Sequence, residues 1–258
     1  MNWFERQRIR YTLSHHTIPH DICLELMCNN ALFKGLSAVE RAHLRTLTTL
    51  FLKRKTFSGT QKLTVSIEMA VTIAAQACLL ILKLGLDYYD GWWEVVIYPC
   101  AFRVKRDVRD TAGVVSNHEQ TLSGESWSRG PVILSWDDII SDMAPSHPGY
   151  NVVVHEFAHK LDMLNGSANG MPPLHRDMVR EQWSKNLSQA FEHLRHRLDH
   201  HHRPGINAYG ATNPAEFFAV VSEYFFTDPQ KLHHLSSAVY DQLVCSTVKT
   251  PQVVNLHW

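Results

Sequence analysis

Residues 150–166 read YNVVVHEFAHKLDMLNG, and the prediction of the whole architecture starts from this stretch. His155, Glu156 and His159 form the pattern H-E-x-x-H within it. Because residues four apart lie on one face of an α-helix, both imidazoles can reach a single metal ion. Glu156 can then accept a proton from a water molecule on that ion, as metal-assisted hydrolysis requires. The stretch therefore predicts a helix that carries a hydrolytic metal site.

The residues on either side of the motif favour a helix. Pro148 suits a first helical turn, three valines at 152–154 supply an apolar approach, and Gly166 can end the helix in a left-handed conformation. The alternative is a helix with two histidines on its surface. The valine run disfavours that alternative, because it indicates that this turn is drawn into the core.

A catalytic zinc ion normally has three protein ligands and one open position, so the motif needs a third ligand. The extended metzincin motif places glycine and histidine three and six positions after the second motif histidine, where this chain has Asp162 and Asn165. The third ligand must therefore come from another segment. The best donor is a predicted helix at 213–226, which Asn213 can cap and Pro214 can begin.

Two glutamates on this second helix are candidate ligands. Glu216 and Glu223 are seven residues apart on one face of a strongly apolar helix, and carboxylates on a buried helix need partners. Spacing alone leaves open which of them binds the metal and which orients a ligand histidine. Glu216 lies three residues after Asn213 and could instead complete a capping box. Asp162, one turn beyond His159, could also orient a ligand or be a local helix charge.

The rest of the chain predicts an α+β fold with a helical N-terminal region. The predicted elements are helices at 36–54 and 64–84, strands at 93–98 and 131–136, and a loop or hairpin at 107–130 between the strands. Ser37 and Glu40 have capping-box spacing at the start of the first helix. We expect residues 1–90 to form a helical region packed on a catalytic region at 91–258, the two making one continuous unit.

The second predicted strand is a candidate substrate-binding element. Pro131 lacks a backbone N–H donor, so this strand either starts there or lies at a sheet edge. If it is an edge strand beside the metal helix, the backbone of Val132, Ile133 and Leu134 could hold an extended peptide by strand addition. An ordinary core strand is the alternative. Upstream, Glu125 could meet the free amino group of a substrate, although a solvated loop glutamate is the simpler interpretation.

The composition argues against nucleic-acid and membrane-surface binding. Lys+Arg and Asp+Glu both number 25 in 258 residues, so the net charge is zero and no basic face is indicated. Hydrophobic residues make up 45% of the chain, which is enough for a buried core. The longest apolar run, 69–82, includes Gln76 and suits a buried helix better than a bilayer span, so we predict no transmembrane segment.

The cysteines indicate a reducing compartment. There are five, an odd number without a Cys-x-x-Cys pair, which argues against a disulfide framework and a thiolate zinc site. We expect them to be reduced and mostly buried. Since residues 1–13 lack the apolar core of a secretory signal, we expect a cytoplasmic protein.

Histidines are abundant, with 17 in the chain. The densest cluster consists of His193, His196, His200, His201 and His202. It lies beside several arginines and predicts the exposed end of a helix. A physiological metal site there is the less favoured interpretation, because His-rich tracts bind metals adventitiously.

Three segments of the chain resemble a known family. HEFAHKLDMLNG at 155–166, NAYGATNPAEFFAVVSEYFF at 207–226 and GPVILSWDDI at 130–139 are similar to the Mlc titration factor A family of bacterial zinc metallopeptidases. The catalytic region of that family is similar to that of anthrax lethal factor, so the resemblance implies a zincin-like fold of the gluzincin type. Separated motifs are much more specific than H-E-x-x-H alone.

The resemblance also implies roles for individual residues. The implied ligands of one Zn²⁺ per chain are His155, His159 and Glu216. Glu156 would be the general base, and Glu223 would be left to orient a ligand. The family pattern has a tyrosine seven residues before the glutamate ligand, and Tyr209 occupies that position. Its phenol could donate a hydrogen bond to the oxyanion that develops during the reaction.

The family is associated with aminopeptidase-like activity and with binding of the glucose repressor Mlc, which links it to control of the glucose phosphotransferase system. The resemblance therefore implies a peptide substrate and an Mlc-type transcription repressor as partners. The alternative is a regulatory protein that sequesters the repressor without catalysis and in which the metal site is structural.

Overall fold

A computed structural model of the chain describes residues 3–109, 115–122, 124–126, 130–144 and 147–247. The helices are α1 (Trp3–His15), α2 (His20–Asn29), α3 (Ala38–Arg54), α4 (Ile67–Leu80), α5 (Trp136–Asp142), α6 (Val152–Asp162), α7 (Arg180–Asp199), α8 (Pro214–Thr227), α9 (Pro229–Leu235) and α10 (Ser237–Ser246). The strands are β1 (Thr56–Gly59), β2 (Glu94–Tyr98), β3 (Phe102–Arg109), β4 (Val115–Leu122), β5 (Gly124–Ser126) and β6 (Val132–Ser135).

The central sheet has four strands in the order β1-β2-β6-β5. Strands β1, β2 and β6 are parallel, and β5 is antiparallel to β6. Strands β3 and β4 form a separate antiparallel pair, which agrees with the hairpin rather than the loop considered for 107–130 and begins earlier, at Phe102. The combination of many helices with a small sheet agrees with the predicted mixed fold class, while the gluzincin type stays a prediction.

The sequence left an edge strand and a core strand open for 132–136, and the structure contradicts the edge strand on which the predicted substrate-binding role depended. Val132, Ile133 and Leu134 pair with β2 on one side and with β5 on the other, so β6 lies inside the sheet. Pro131 directly precedes the first paired residue, which means that its missing N–H removes no ladder hydrogen bond. Among the strands described, β5 rather than β6 lies at this edge.

The N-terminal region contributes a strand that the sequence did not reveal. β1 is four residues long, too short to show a period of two, and it pairs with β2 beyond the predicted boundary at residue 90. Helix α3 begins as predicted, with a capping box in which Ser37 accepts a hydrogen bond from the Glu40 N–H and Glu40 accepts one from the Ser37 N–H. The division into 1–90 and 91–258 itself stays a prediction.

Helix α4 is the buried helix that the apolar run predicted. Ser66 caps it, and all residues from Met69 to Leu80 are buried. The helix ends four residues earlier than the predicted 84, and Gly85, at φ +87°, donates its N–H to the Ile81 carbonyl. In the described part of the chain, no helix has both the length and the apolar character needed to cross a bilayer.

Four aromatic rings hold the motif helix against the N-terminal region. Phe157, from within the H-E-x-x-H motif, packs against Phe51 of α3 and against Tyr89 and Trp92, with all ring centroids 5.1–6.1 Å apart. Edge-to-face and tilted pairs of this kind are each worth about 0.5–1.5 kcal/mol beyond their burial. Because Phe157 lies on the side of α6 that enters this cluster, the packing sets the rotation of the helix.

The expected burial of the cysteines was wrong for most of them. All five thiols are free, as predicted. Only Cys78 on α4 is buried, Cys23 is partly buried, and Cys28, Cys100 and Cys245 are exposed. Sequence could not reveal this, because an isolated cysteine behaves as a small apolar residue whose burial depends on which helix face meets the core.

Candidate metal centre

Helix α6 starts at a cap that sequence reasoning missed. Asn151 accepts a hydrogen bond from the Val154 N–H at 2.8 Å and is the N-cap, whereas Pro148 lies ahead of the helix. The helix ends at Asp162, and a 3-10 turn at Met163–Asn165 precedes Gly166, which has a φ of +133°. An asparagine directly before an apolar run is a helix-start signal, so the sequence did contain the information.

Helix α8 forms as predicted. Asn213 accepts a hydrogen bond from the Glu216 N–H at 3.0 Å, and Pro214 occupies the first turn. Apart from Glu216, every residue from Ala215 to Phe226 is buried. Helices α6 and α8 pack directly against each other, so polar groups on their facing sides must meet.

Three donor atoms from the two helices converge at one point. The distance from His155 Nε2 to His159 Nε2 is 3.2 Å, and Glu216 Oε2 lies 3.1 Å from the first and 3.3 Å from the second. Two ligands about 2.0–2.1 Å from a tetrahedral zinc ion are about 3.3 Å apart. The three atoms therefore fit one face of a zinc tetrahedron and leave the fourth position open.

This group could hold a metal ion. Within those ranges, His155, His159 and Glu216 form the one group of three or more potential ligands whose donor atoms lie within 4.8 Å of one another. Two imidazoles and a carboxylate suit a divalent ion such as zinc. Glu216 and Glu223 are equivalent by spacing, and the geometry separates them, because only Glu216 approaches both Nε2 atoms in the contacts described.

Glu223 lies behind the first histidine. His155 Nδ1 donates to Glu223 Oε1 at 2.7 Å, and the Asn151 N–H donates to Glu223 Oε2 at 2.6 Å. A histidine whose Nδ1 carries the proton presents the lone pair of Nε2 to a metal. The hydrogen bond to Glu223 favours this tautomer of His155, while the role of Glu223 in orienting a metal ligand stays a prediction.

His155 and Glu216 at the centre shift the pKa values of each other. Burial lowers the pKa of His155, but its hydrogen bonds with Glu216 and Glu223 outweigh burial and raise this pKa well above its usual value. Burial raises the pKa of Glu216, and the bonds with His155 and His159 more than reverse this and lower it. A metal ion and a proton therefore compete for His155, and metal binding should release a proton.

Glu156 follows the first histidine and is buried, with 5% of its surface exposed. The ammonium group of Lys160 lies one turn further along α6 and interacts electrostatically with the Glu156 carboxylate. Burial and then the charge of Lys55 lower the pKa of Lys160 to about 8, while Glu156 raises it. Lys160 Nζ also donates to the Gly130 carbonyl at 2.7 Å and so connects α6 to the residues just before β6.

Tyr209 lies beside the converging donors on a 3-10 turn, Ala208–Ala211. The side chain of Asn207 accepts a hydrogen bond from the Tyr209 N–H at 3.0 Å and caps this turn. The tyrosine ring is 6.1 Å from the His155 ring, and 41% of the residue is exposed. Tyr209 therefore stands at the solvent side of the centre.

Asp162 binds a backbone loop. Its Oδ2 accepts a hydrogen bond from the Gly170 N–H at 2.7 Å, and Trp183 Nε1 donates to the Gly170 carbonyl at 3.0 Å. Burial raises the pKa of Asp162, although the N–H groups of the 169–171 loop lower it again. The predicted role of Asp162 in orienting a ligand histidine stays a prediction, since the hydrogen bonds described for it go to this loop.

Comparison with known proteins identifies the family of this centre. The family model of the glucose-regulated metallo-peptidase M90 matches residues 1–246. The chain belongs to the M90 family. An uncharacterised protein of Synechocystis sp. is 39% identical over 212 residues, which cover 82% of this chain and 77% of the relative. Mlc titration factor A of Yersinia pestis and that of Yersinia pseudotuberculosis are each 38% identical over 216 residues, which cover 82% of this chain and 78% of each relative.

The match confirms the resemblance inferred from the quoted segments, and it makes this M90 chain a metallopeptidase-family protein. The residues that converge in the structure are those of its two separated motifs. Family membership and geometry therefore agree that the chain can hold a metal, while the identity of the metal stays a prediction.

Other predicted site residues lie elsewhere in the M90 chain. The predicted histidine cluster is exposed at the C-terminal end of α7 and beyond it, as expected, and is not part of the converging group. The side chain of Glu125 lies outside the described residues. Its backbone belongs to β5, which is close to α6.

Gly170 packs closely against Pro214 at the start of α8 in this M90 protein. Gly170 has a φ of +80°, and a Cβ added there would lie 2.6 Å from the Pro214 carbonyl oxygen. We expect Gly170→Ala to lower the free energy of unfolding by about 2–4 kcal/mol, because it adds a steric clash to left-handed strain. Denaturant unfolding measures this change.

Gly91→Ala is the matched control for this prediction. Gly91 has a φ of +90°, but a Cβ there meets nothing within 4 Å. We expect a loss of only about 1–2 kcal/mol, from backbone strain alone. Equal losses in the two variants would show that the contact with Pro214 is not the cause.

Proposed function

We propose that this chain is a zinc-dependent metallopeptidase of the gluzincin type with aminopeptidase-like activity. The observation that carries the proposal is the triangle of His155 Nε2, His159 Nε2 and Glu216 Oε2, with sides of 3.1–3.3 Å. That triangle matches a tetrahedral zinc site with one open position, which is the form of catalytic zinc sites. In this proposal residues 91–258 carry the catalytic groups and residues 1–90 support them.

The reaction is divided among the side chains around the triangle. A bound Zn²⁺ would lower the pKa of water and polarise the carbonyl of the scissile bond. Glu156 takes the proton of the attacking water and returns it to the leaving amine. Tyr209 donates a hydrogen bond to the carbonyl oxygen as negative charge develops there. Glu223 keeps His155 oriented throughout.

The proposed substrate is an extended peptide. Since β6 is paired on both sides, the substrate strand would add to β5, the strand at the sheet edge near α6. Backbone hydrogen bonds of this kind depend little on the side chains of the peptide. Val132, Ile133 and Leu134 would then position β5 through their ladder rather than touch the peptide backbone themselves, and Glu125 on β5 stays the candidate for binding a free amino group.

We propose a second function, binding of an Mlc-type transcription repressor. It is supported by two relatives that carry the name Mlc titration factor A at 38% identity. A repressor of transcription acts in the cytoplasm of a bacterium, where the five free thiols of this chain would also remain reduced. Catalysis and repressor binding are compatible, and they separate in a variant that binds without turnover.

Metal analysis together with hydrolysis of short amino-acyl chromogenic substrates tests the proposed function. We expect about one zinc ion per purified chain. Hydrolysis should be lost with a chelator and return when Zn²⁺ is added. Substrates with a free and an acetylated amino terminus should differ in rate if the activity is that of an aminopeptidase. Undiminished hydrolysis by metal-free protein would contradict the proposal.

A further inference from the structure

Gln76 is a polar residue in the middle of the most apolar helix. It lies on α4 with none of its surface exposed, among residues that are all buried. A buried amide is costly unless it is hydrogen-bonded, so a leucine would be the cheaper residue here. Its one described hydrogen bond therefore indicates what this residue does.

That bond joins Gln76 to Asn151, the N-cap of α6. Asn151 Nδ2 donates to Gln76 Oε1 at 2.8 Å. Because Asn151 Oδ1 accepts the Val154 N–H, the amide of Asn151 cannot be turned round without losing the cap. Gln76 must therefore present its oxygen, and it binds the side chain of Asn151 from α4.

From Asn151 the contacts continue to the metal ligand. The Asn151 N–H donates to Glu223 Oε2 at 2.6 Å, and Glu223 Oε1 accepts from His155 Nδ1 at 2.7 Å. The four residues thus form one buried chain of hydrogen bonds from α4 to the ring of His155. Asn151 and Glu223 expose only 2% and 5% of their surface, so solvent does not replace these bonds readily.

The nitrogen of the Gln76 amide makes no competing hydrogen bond in the described part of the chain. Within the described residues, Gln76 Nε2 is buried without a hydrogen-bond partner. The Gln76 amide therefore makes its described side-chain hydrogen bond through its oxygen, to Asn151.

We propose that Gln76 is a positioning residue of the metal centre. By fixing Asn151 it sets the place of Glu223, and through Glu223 it sets the ring of His155 that binds the metal. The helical N-terminal region then contributes to metal affinity as well as to the core. This inference rests on the metal site of the proposed function.

Zinc affinity of the full chain tests the inference directly. In Gln76→Met the side-chain length is kept and the acceptor is lost. Its dissociation constant for Zn²⁺ is measured by competition with a chromogenic chelator. We expect this constant to rise about 10-fold, the lower end of the range of about 10–100-fold seen when a residue that supports a metal ligand is replaced. Asn151→Ser keeps a good N-cap and replaces the Nδ2 group that binds Gln76 by a shorter hydroxyl, and we expect a similar rise.

Two further measurements separate positioning from loss of stability. Cys78→Ala changes a fully buried residue on the same helix, whose thiol faces Thr48, so it should destabilise the fold and leave zinc affinity unchanged. If Gln76 acts through Asn151, the double variant Gln76→Met/Asn151→Ser should bind zinc no more weakly than the weaker single variant.

The outcomes distinguish this inference from the proposed function. Wild-type protein that binds zinc, together with a Gln76→Met variant that binds equally tightly, would overturn the inference alone. The inference would also be overturned if the rise in the Zn²⁺ dissociation constant of the double variant equalled the product of the rises in the two single variants. Should Gln76→Met not fold, unchanged zinc affinity in Asn151→Ser would have the same consequence. A wild-type chain that takes up no zinc would overturn both.

Discussion

Replacing Glu156 by glutamine should reduce peptide hydrolysis by about 10²–10⁴-fold, the range typical of a general base. Glutamine has nearly the same shape but cannot accept a proton at neutral pH. Since the three converging donor atoms belong to other residues, the zinc content should not change. The measurements are kcat/KM on amino-acyl substrates and metal analysis of the same sample.

Glu181→Gln is the matched control for this substitution. Glu181 is exposed in the first turn of α7, so the same chemical change there should leave kcat/KM unaltered. Parental turnover in Glu156→Gln would show that another group takes the proton. The inactive variant should still capture an Mlc-type repressor if binding does not need turnover, and loss of capture would tie the two proposed functions together.

Replacing His159 by alanine should largely empty the metal site. It removes one of three donors and leaves His155 and Glu216, whose atoms at 3.1 Å cannot define a tetrahedral site alone. We expect the dissociation constant for Zn²⁺ to rise by more than about 100-fold, because replacing a residue that only supports a ligand already costs up to about that factor. Hydrolysis should be lost in parallel. Equilibrium dialysis against buffered Zn²⁺ measures the change.

The control for this prediction is another histidine. His196 is exposed on α7 and outside the converging group, so His196→Ala should bind zinc like the parent. It also corrects for adventitious binding by the histidine-rich end of that helix. Full occupancy in His159→Ala, after this correction, would rule out the proposed ligand set.

Most of the candidate site could be predicted from sequence, because its parts are local. His155 and His159 share a helix face by their spacing, and Asn213 with Pro214 marks the start of α8 without reference to the rest of the fold. Capping and helix periodicity depend on neighbours within about four residues. These features therefore appear in the structure where the pattern placed them.

The sheet was predicted less well, because pairing joins segments that are distant in the chain. Val132, Ile133 and Leu134 form a strand as expected, but nothing in their own sequence says that β5 would cover their other side. The four residues of β1 carry no recognisable pattern and become a strand only beside β2. The prediction that most cysteines are buried was wrong for the same reason.

By itself the sequence determined two helices and the identity of the side chains able to bind a metal, since periodicity and caps are encoded within a few residues. Glu216 and Glu223, a heptad apart on one helical face, remained equivalent by spacing. The family resemblance implied Glu216, and the packing of α6 against α8 gives the physical reason, because it brings Glu216 to both Nε2 atoms and Glu223 to the opposite side of the His155 ring. Such a choice depends on how two helices cross in space, which no local pattern specifies.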